Sequence, residues 1–301
     1  MAEIRHGTVE ANGLEFAFIE AGEGPLVLLL HGFPDDAWTW SHQLDALAAA
    51  GYRAVAPFMR GYAPTEIPSD GRYDAAALGA DVAGLVGALG DGPAYVVGND
   101  WGGIATSSAL ALHPESVRRA VLINIGHPAT FMSTVLHPKQ VHHIFHFWFF
   151  QTGELATGAV RANDLAFVDY LWDYWSAEGH DDAEHIARVK RETLSREGVV
   201  EAALAYYRAL LDLLTSDPET AERIQRPATV PTLTIFGDQD PPRELSYGEH
   251  VHYAADYRLE IVERAGHFVH RERPDVVNRL ILDWFGEAAE RQRVAAGEAR
   301  A

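Results

Sequence analysis

Residues 94–103 read A-Y-V-V-G-N-D-W-G-G, an apolar run that ends on an aspartate held between glycines. Ala94–Val97 has the β-branched and aromatic character of a buried strand. Gly102 and Gly103 open an Ala/Ser/Leu-rich helical pattern that runs to Leu112. Strand, tight glycine turn and helix together form the sharp elbow that lifts one side chain clear of a sheet, usually written G-x-S-x-G. Here Asp100 would stand at the apex. No G-x-S-x-G occurs elsewhere, and the chain has no cysteine. An aspartate in a glycine-rich turn is often only a turn former. At an elbow apex it is a ready-made anion that can displace a leaving group from a saturated carbon, leaving an ester that water must then cleave.

The flanking pattern extends the elbow into an α/β fold. Gly7–Glu10 and Leu14–Glu20 suggest an antiparallel pair around the Asn12-Gly13 turn, and Pro25–Leu30 a strand buried on both faces. A helix at Ala37–Ala49, a strand at Arg53–Pro57, a helix at Asp74–Leu89 and a strand at Ala120–Ile125 follow, as in a mostly parallel, doubly wound sheet. Residues 129–225 lack strand alternation but show helical periodicity, in Leu165–Trp175 and Val199–Leu214 among others, and an aromatic run F-H-F-W-F-F at 145–150. Strand patterns return at 230–236 and 257–262, and a last helix starts at Pro274. The expected organisation is one core built from 1–127 and 226–301, with a helical cap inserted at 128–225.

The chain has 301 residues, 48% of them apolar, enough for such a core. Its net charge of −19 disfavours nucleic acid and anionic membrane surfaces as partners. No apolar segment suits a secretory signal or a membrane span, so a cytoplasmic location is the expectation. Thiolate metal sites are excluded. His142 and His146 have the spacing of metal ligands on a helix, but lack an H-E-x-x-H context or carboxylate partners, so neither metal nor cofactor is expected. The acidic stretch Glu178–Glu184 reads as a solvated helix start.

H-G-F-P at 31–34 precedes the elbow, and G-D-Q-D at 237–240 and A-G-H-F at 265–268 follow it, an order that resembles the α/β-hydrolase fold. Within it the chain is most similar to the epoxide hydrolase and dehalogenase branch that uses an aspartate nucleophile. The resemblance implies Asp100 as nucleophile and His267 as general base. It makes Asp240 the orienting acid, with Asp238 as competitor, and forms an oxyanion hole from the backbone N–H groups of Phe33 and Trp101. It also implies a cap tyrosine that protonates an epoxide oxygen. A-Y-Y-R-A at 205–209 points to Tyr207, with Tyr206 beside it, unless the pair is simply cap packing. A second cap tyrosine normally stands five residues before a glutamine; counting back from Gln151 gives His146.

Dehalogenases of the branch usually carry Asn at the Phe33 position, and those acting on small haloacids carry arginines where this chain has Trp101 and Ile104. His146 and Trp148 could cradle a halide with Tyr207, or His146 could be the second donor to an epoxide oxygen. The expectation is hydrolysis of an apolar or aromatic epoxide, with Phe145, Phe147, Trp148 and Phe149 near the substrate and a homodimer as a possible assembly. A dehalogenase is the first alternative, and a non-catalytic ligand-binding member of the fold the second.

Overall fold

The computed structural model describes residues 2–240 and 249–295; residues 241–248 and 296–301 of the expected core lie outside the described residues. Eight strands form one sheet in the order β1-β2-β4-β3-β5-β6-β7-β8. They are β1 (Arg5–Ala11), β2 (Leu14–Ala21), β3 (Leu26–Leu30), β4 (Arg53–Pro57), β5 (Ala94–Asn99), β6 (Val117–Ile123), β7 (Thr232–Gly237) and β8 (Tyr257–Val262). β2 runs antiparallel to both β1 and β4, and every pairing from β4 to β8 is parallel. The Asn12-Gly13 turn joins β1 to β2 with both residues at positive φ, as a two-residue hairpin requires. Central β3 and β5 are buried along their whole length, so their sequences are apolar without alternation.

The helices that cover the sheet are α1 (Ser41–Ala49), α2 (Ala75–Leu89) and α3 (Trp101–Leu112). The expected helix from Ala37 divides in two, because Asp36 caps a 3-10 turn over Ala37–Trp40 before α1 begins. Between β6 and β7 the described residues contain helices and no strand: α4 (Pro128–Thr134), α5 (Pro138–His143), α6 (Phe145–Phe149), α7 (Glu154–Trp175), α8 (Ala183–Val189), α9 (Val199–Ser216) and α10 (Pro218–Ile224). α7 starts earlier than the periodicity predicts and breaks at Ala162–Leu165, where three consecutive residues have positive φ. After β8 come α11 (Val269–Glu272) and α12 (Pro274–Ala295), which buries Val277, Ile281, Trp284 and Phe285 on one stripe. β6 ends two residues short of the predicted Ile125, because Asn124 turns out of the sheet with φ 51°. That turn matters for the site.

Candidate active site

The parallel strands all deliver their carboxyl ends to one edge of the sheet, where loops can bring distant residues together. After β5, Asp100 adopts φ 52° and ψ −121°, a conformation that a non-glycine residue holds only when its surroundings enforce it. Two glycines make room for it. A side chain at Gly32 would collide with the Asp100 carboxyl, and one at Gly102 with the backbone of Leu30 and His31. Oδ1 of Asp100 accepts a hydrogen bond from the Phe33 backbone N–H at 2.9 Å. Trp101 is the first residue of α3, so its backbone N–H has no acceptor within the helix.

The loops after β7 and β8 supply the facing pair. His267 Nδ1 donates to the Asp240 carboxylate at 3.3 Å, and its Nε2 lies 3.6 Å from Asp100 Oδ2, beyond hydrogen-bonding distance. Burial opposes charge on this imidazole. Asp240 and Asp100 on either side outweigh burial and hold its pKa up at about 10. Asp238, the sequence competitor, turns elsewhere and accepts from the Ala265 N–H. His267 also donates its backbone N–H to the Trp175 carbonyl at 2.8 Å.

Asn124 ties these loops to β6. Its amide donates to the carbonyls of Gly266 and His267 and accepts from the Gly237 N–H. At this strand end the sequence reads Ile123-Asn124-Ile125, with no carboxylate. An asparagine leaving a strand in the left-handed region was the available signal.

A cavity of about 150 Å³ opens in front of Asp100, bounded by Asp240, His267, His143, His146, Phe147 and Trp175 among others. His146 is buried, and burial together with the neighbouring His143 and His267 keeps its pKa well below the usual imidazole value. His143 Nε2 stands 3.9 Å from Asp240 Oδ1. Neither His143 nor Trp175 was singled out from sequence, since a histidine and a tryptophan in a helical stretch resemble packing residues. α5 ends at His143, and Ile144 leaves the helical region before α6 starts. The break leaves His142 exposed while His146 faces inward, so the two do not share a helix face.

Tyr207 is fully buried, its ring 5.3 Å from that of His146 and 4.9 Å from those of Trp101 and Phe147. Among the described residues its hydroxyl makes no hydrogen bond of ordinary geometry. Burial first, and the Asp100 charge second, raise its pKa well above 10. Neither tyrosine is among the residues that line the cavity, and Tyr206 is a correction to the sequence reading because its hydroxyl donates to the Arg60 carbonyl at 2.8 Å. Trp148 does not line the cavity either, and Phe145 and Phe149 pack against Phe167 instead. Of the run 145–150, His146 and Phe147 reach the cavity. Gln151 fixes this geometry by donating to the carbonyls of Phe147 and Tyr207.

Among the described residues no group of three or more His, Cys, Asp or Glu is placed to hold a metal, and no helix is long and apolar enough to cross a membrane. The chain is similar to AB hydrolase superfamily protein YfhM of Bacillus subtilis, with 32% identity over 92% of this chain and 96% of the relative. Epoxide hydrolase 4 of Mus musculus is 28% identical over 94% of this chain and 79% of its own. An epoxide hydrolase from an endophytic Streptomyces superposes with a TM-score of 0.80 at 29% identity, covering 95% and 96% of the two chains. Epoxide Hydrolase A from Mycobacterium thermoresistibile does so with 0.80 at 25%, covering 94% and 98%. With the elbow, the parallel sheet and a match to the alpha/beta hydrolase fold family over residues 25–274, this chain belongs to that family.

Proposed function

We propose that the protein is an epoxide hydrolase that works through an ester on Asp100. One observation carries the reading: an aspartate at the strained elbow has one oxygen on a backbone N–H and the other facing a buried His267–Asp240 pair. Relatives and structural neighbours named as epoxide hydrolases support the class.

The proton inventory closes on this arrangement. In the resting site Asp100 is an anion and His267 an imidazolium. Oδ2 of Asp100 attacks a ring carbon, the ring C–O bond breaks, and the departing oxygen takes a proton from Tyr207. His146, held neutral by burial, offers a second N–H to that oxygen. Esterification abolishes the Asp100 charge, so only Asp240 still supports the proton on His267. That proton is released and restores Tyr207. Neutral His267 then takes a proton from water as the hydroxyl adds to the ester carbon. The N–H groups of Phe33 and Trp101 meet the oxyanion, each worth a few kcal/mol. The acyl C–O bond breaks, the new carboxyl group gives its proton to the departing alkoxide, and the diol leaves. Asp100 is again an anion and His267 again an imidazolium.

A dehalogenase is the second reading. It is favoured by the Trp101 Nε1, which is buried beside Tyr207, makes no hydrogen bond of ordinary geometry among the described residues, and would suit a halide. Matched epoxide and bromide substrates, followed for diol and bromide release, separate the two.

The ester itself is tested with His267→Gln, which is expected to accumulate a substrate-sized mass increase on the peptide containing Asp100. In a single turnover in heavy-oxygen water, wild type is expected to place the label in the Asp100 carboxylate. Label found first in the diol would replace the ester with direct attack by water.

A further inference from the structure

We propose that the end of the cavity away from Asp100 is a subsite for an uncharged oxygen function, a hydroxyl or carbonyl several carbons from the epoxide. The inference builds on the epoxide reading and names its substrate class. α3 carries three consecutive hydroxyls, Thr106, Ser107 and Ser108. Thr106 donates to the Gly102 carbonyl and Ser108 to the Ile104 carbonyl, both at 2.8 Å, as helix hydroxyls usually do. Ser107, between them, does not. Its Oγ is buried without a partner among the described residues, and the residue is 5% exposed and lines the cavity.

Thr130, on α4, repeats the pattern. Ser133 and Thr134 on the same helix bond back to its carbonyl, yet its own Oγ1 has no partner among the described residues, in a residue 8% exposed that lines the cavity. A second, small cavity touches Ser107, His127 and Ile224, and the Thr130 N–H donates to the His127 carbonyl, so both hydroxyls belong to this end. Buried hydroxyls without partners are rare because each loses its hydration for nothing. Two that line one cavity end point to a ligand atom that meets them.

Charge and length define that ligand. No Lys or Arg lines the cavity among the described residues, and the buried carboxyl of Glu249 abuts Gly126 in its wall. A carboxylate would lack a counterion there, whereas a neutral oxygen can both accept and donate. Ser107 is seven residues along α3 from Asp100, roughly 10 Å at the helical rise. At about 1.5 Å per covalent bond, a zigzag chain of roughly eight carbons bridges that distance.

The test pairs 7,8-epoxyoctan-1-ol with 1,2-epoxyoctane. Wild type is expected to favour the hydroxylated epoxide about tenfold in kcat/KM, and Ser107→Ala with Thr130→Val to reduce that ratio to about one. Calorimetric binding of octane-1,2,8-triol against octane-1,2-diol needs no turnover and should show the same preference and its loss. If the double variant does not fold, Ser107→Ala alone should still lower the ratio. Equal binding of the two polyols by wild type, or a ratio unchanged in the variants, overturns the subsite. Preference for the triol with neither epoxide turned over would keep the subsite and sink the epoxide reading.

Discussion

In the proposed cycle His267 gives up its proton once Asp100 is esterified, which makes one side chain the sensor of the other's chemistry. Its pKa of about 10 reflects two carboxylates prevailing over burial. Asp100→Asn keeps the shape of that side chain and removes its charge, as the ester does. NMR titration of the variant should find His267 titrating below its wild-type value; an unchanged pKa would remove the switch from the mechanism. Because the folded pKa lies above the ordinary 6.5, this ion pair stabilises the fold fully below pH 6.5, and the contribution is lost as pH rises through about 10. Tyr207→Phe removes the hydroxyl but none of the ring packing. It is expected to slow ester formation by about 10²-fold, measured as the single-turnover rate; an unchanged rate would exclude this phenol. At this scale the sequence was legible where a motif marks a strand end, as at Asp100 and His267. The resemblance of A-Y-Y-R-A pointed to Tyr207 but left the place of Tyr206 open, because neighbours on a helix face different ways and only the packing of α9 shows that its hydroxyl meets Arg60.

Among the elements, the end of β6 has the largest reach for its size. Asn124 leaves the strand at φ 51° and bonds three backbone groups in the loops that carry Asp240 and His267. Asn124→Ala removes the donor to the Gly266 carbonyl and the acceptor for the Gly237 N–H, while the His267 carbonyl keeps Asn99, and should cost about 1–3 kcal/mol in urea unfolding. It should also lower the rate of ester hydrolysis more than that of ester formation, since in the proposed cycle His267 acts as base only in hydrolysis. Equal slowing of both steps would reduce Asn124 to a structural role. Strands and core helices were readable because their periodicity is set by which face is buried. The break at Ile144 and the left-handed turn in α7 were not. Both interrupt helical sequence without glycine or proline, and the cause lies in the surfaces each half must meet.

For the molecule as a whole, buried polar ties join the helices between β6 and β7 to the loop after β3. His185 bonds Asp35 at 2.7 Å, Arg188 bonds Asp36 through both terminal nitrogens, and Thr193 donates to Asp36. The Phe33 amide is therefore held on a segment that the helical insertion itself anchors. Glu249 is a second buried commitment, its carboxyl accepting from the His127 N–H and the Tyr253 hydroxyl, with burial raising its pKa to about 7. A raised carboxyl pKa costs stability as pH climbs from about 4.5 through 7 and is neutral below. Glu249→Gln should therefore raise Tm by about 2–4 °C at pH 8, with little change at pH 4.5. A gain of equal size at both would reject ionisation as the cause. The sequence alone determined the sheet, the order of its strands along the chain, the elbow and the residues at its strand ends. Those follow from local periodicity and from turns that only certain residues can make. Tertiary structure alone decided that Tyr206 gives its hydroxyl to Arg60, that Asn124 clamps two loops, and that Ser107 and Thr130 keep hydroxyls with no partner among the described residues. These depend on contacts between segments far apart in the chain, whose geometry no local pattern encodes.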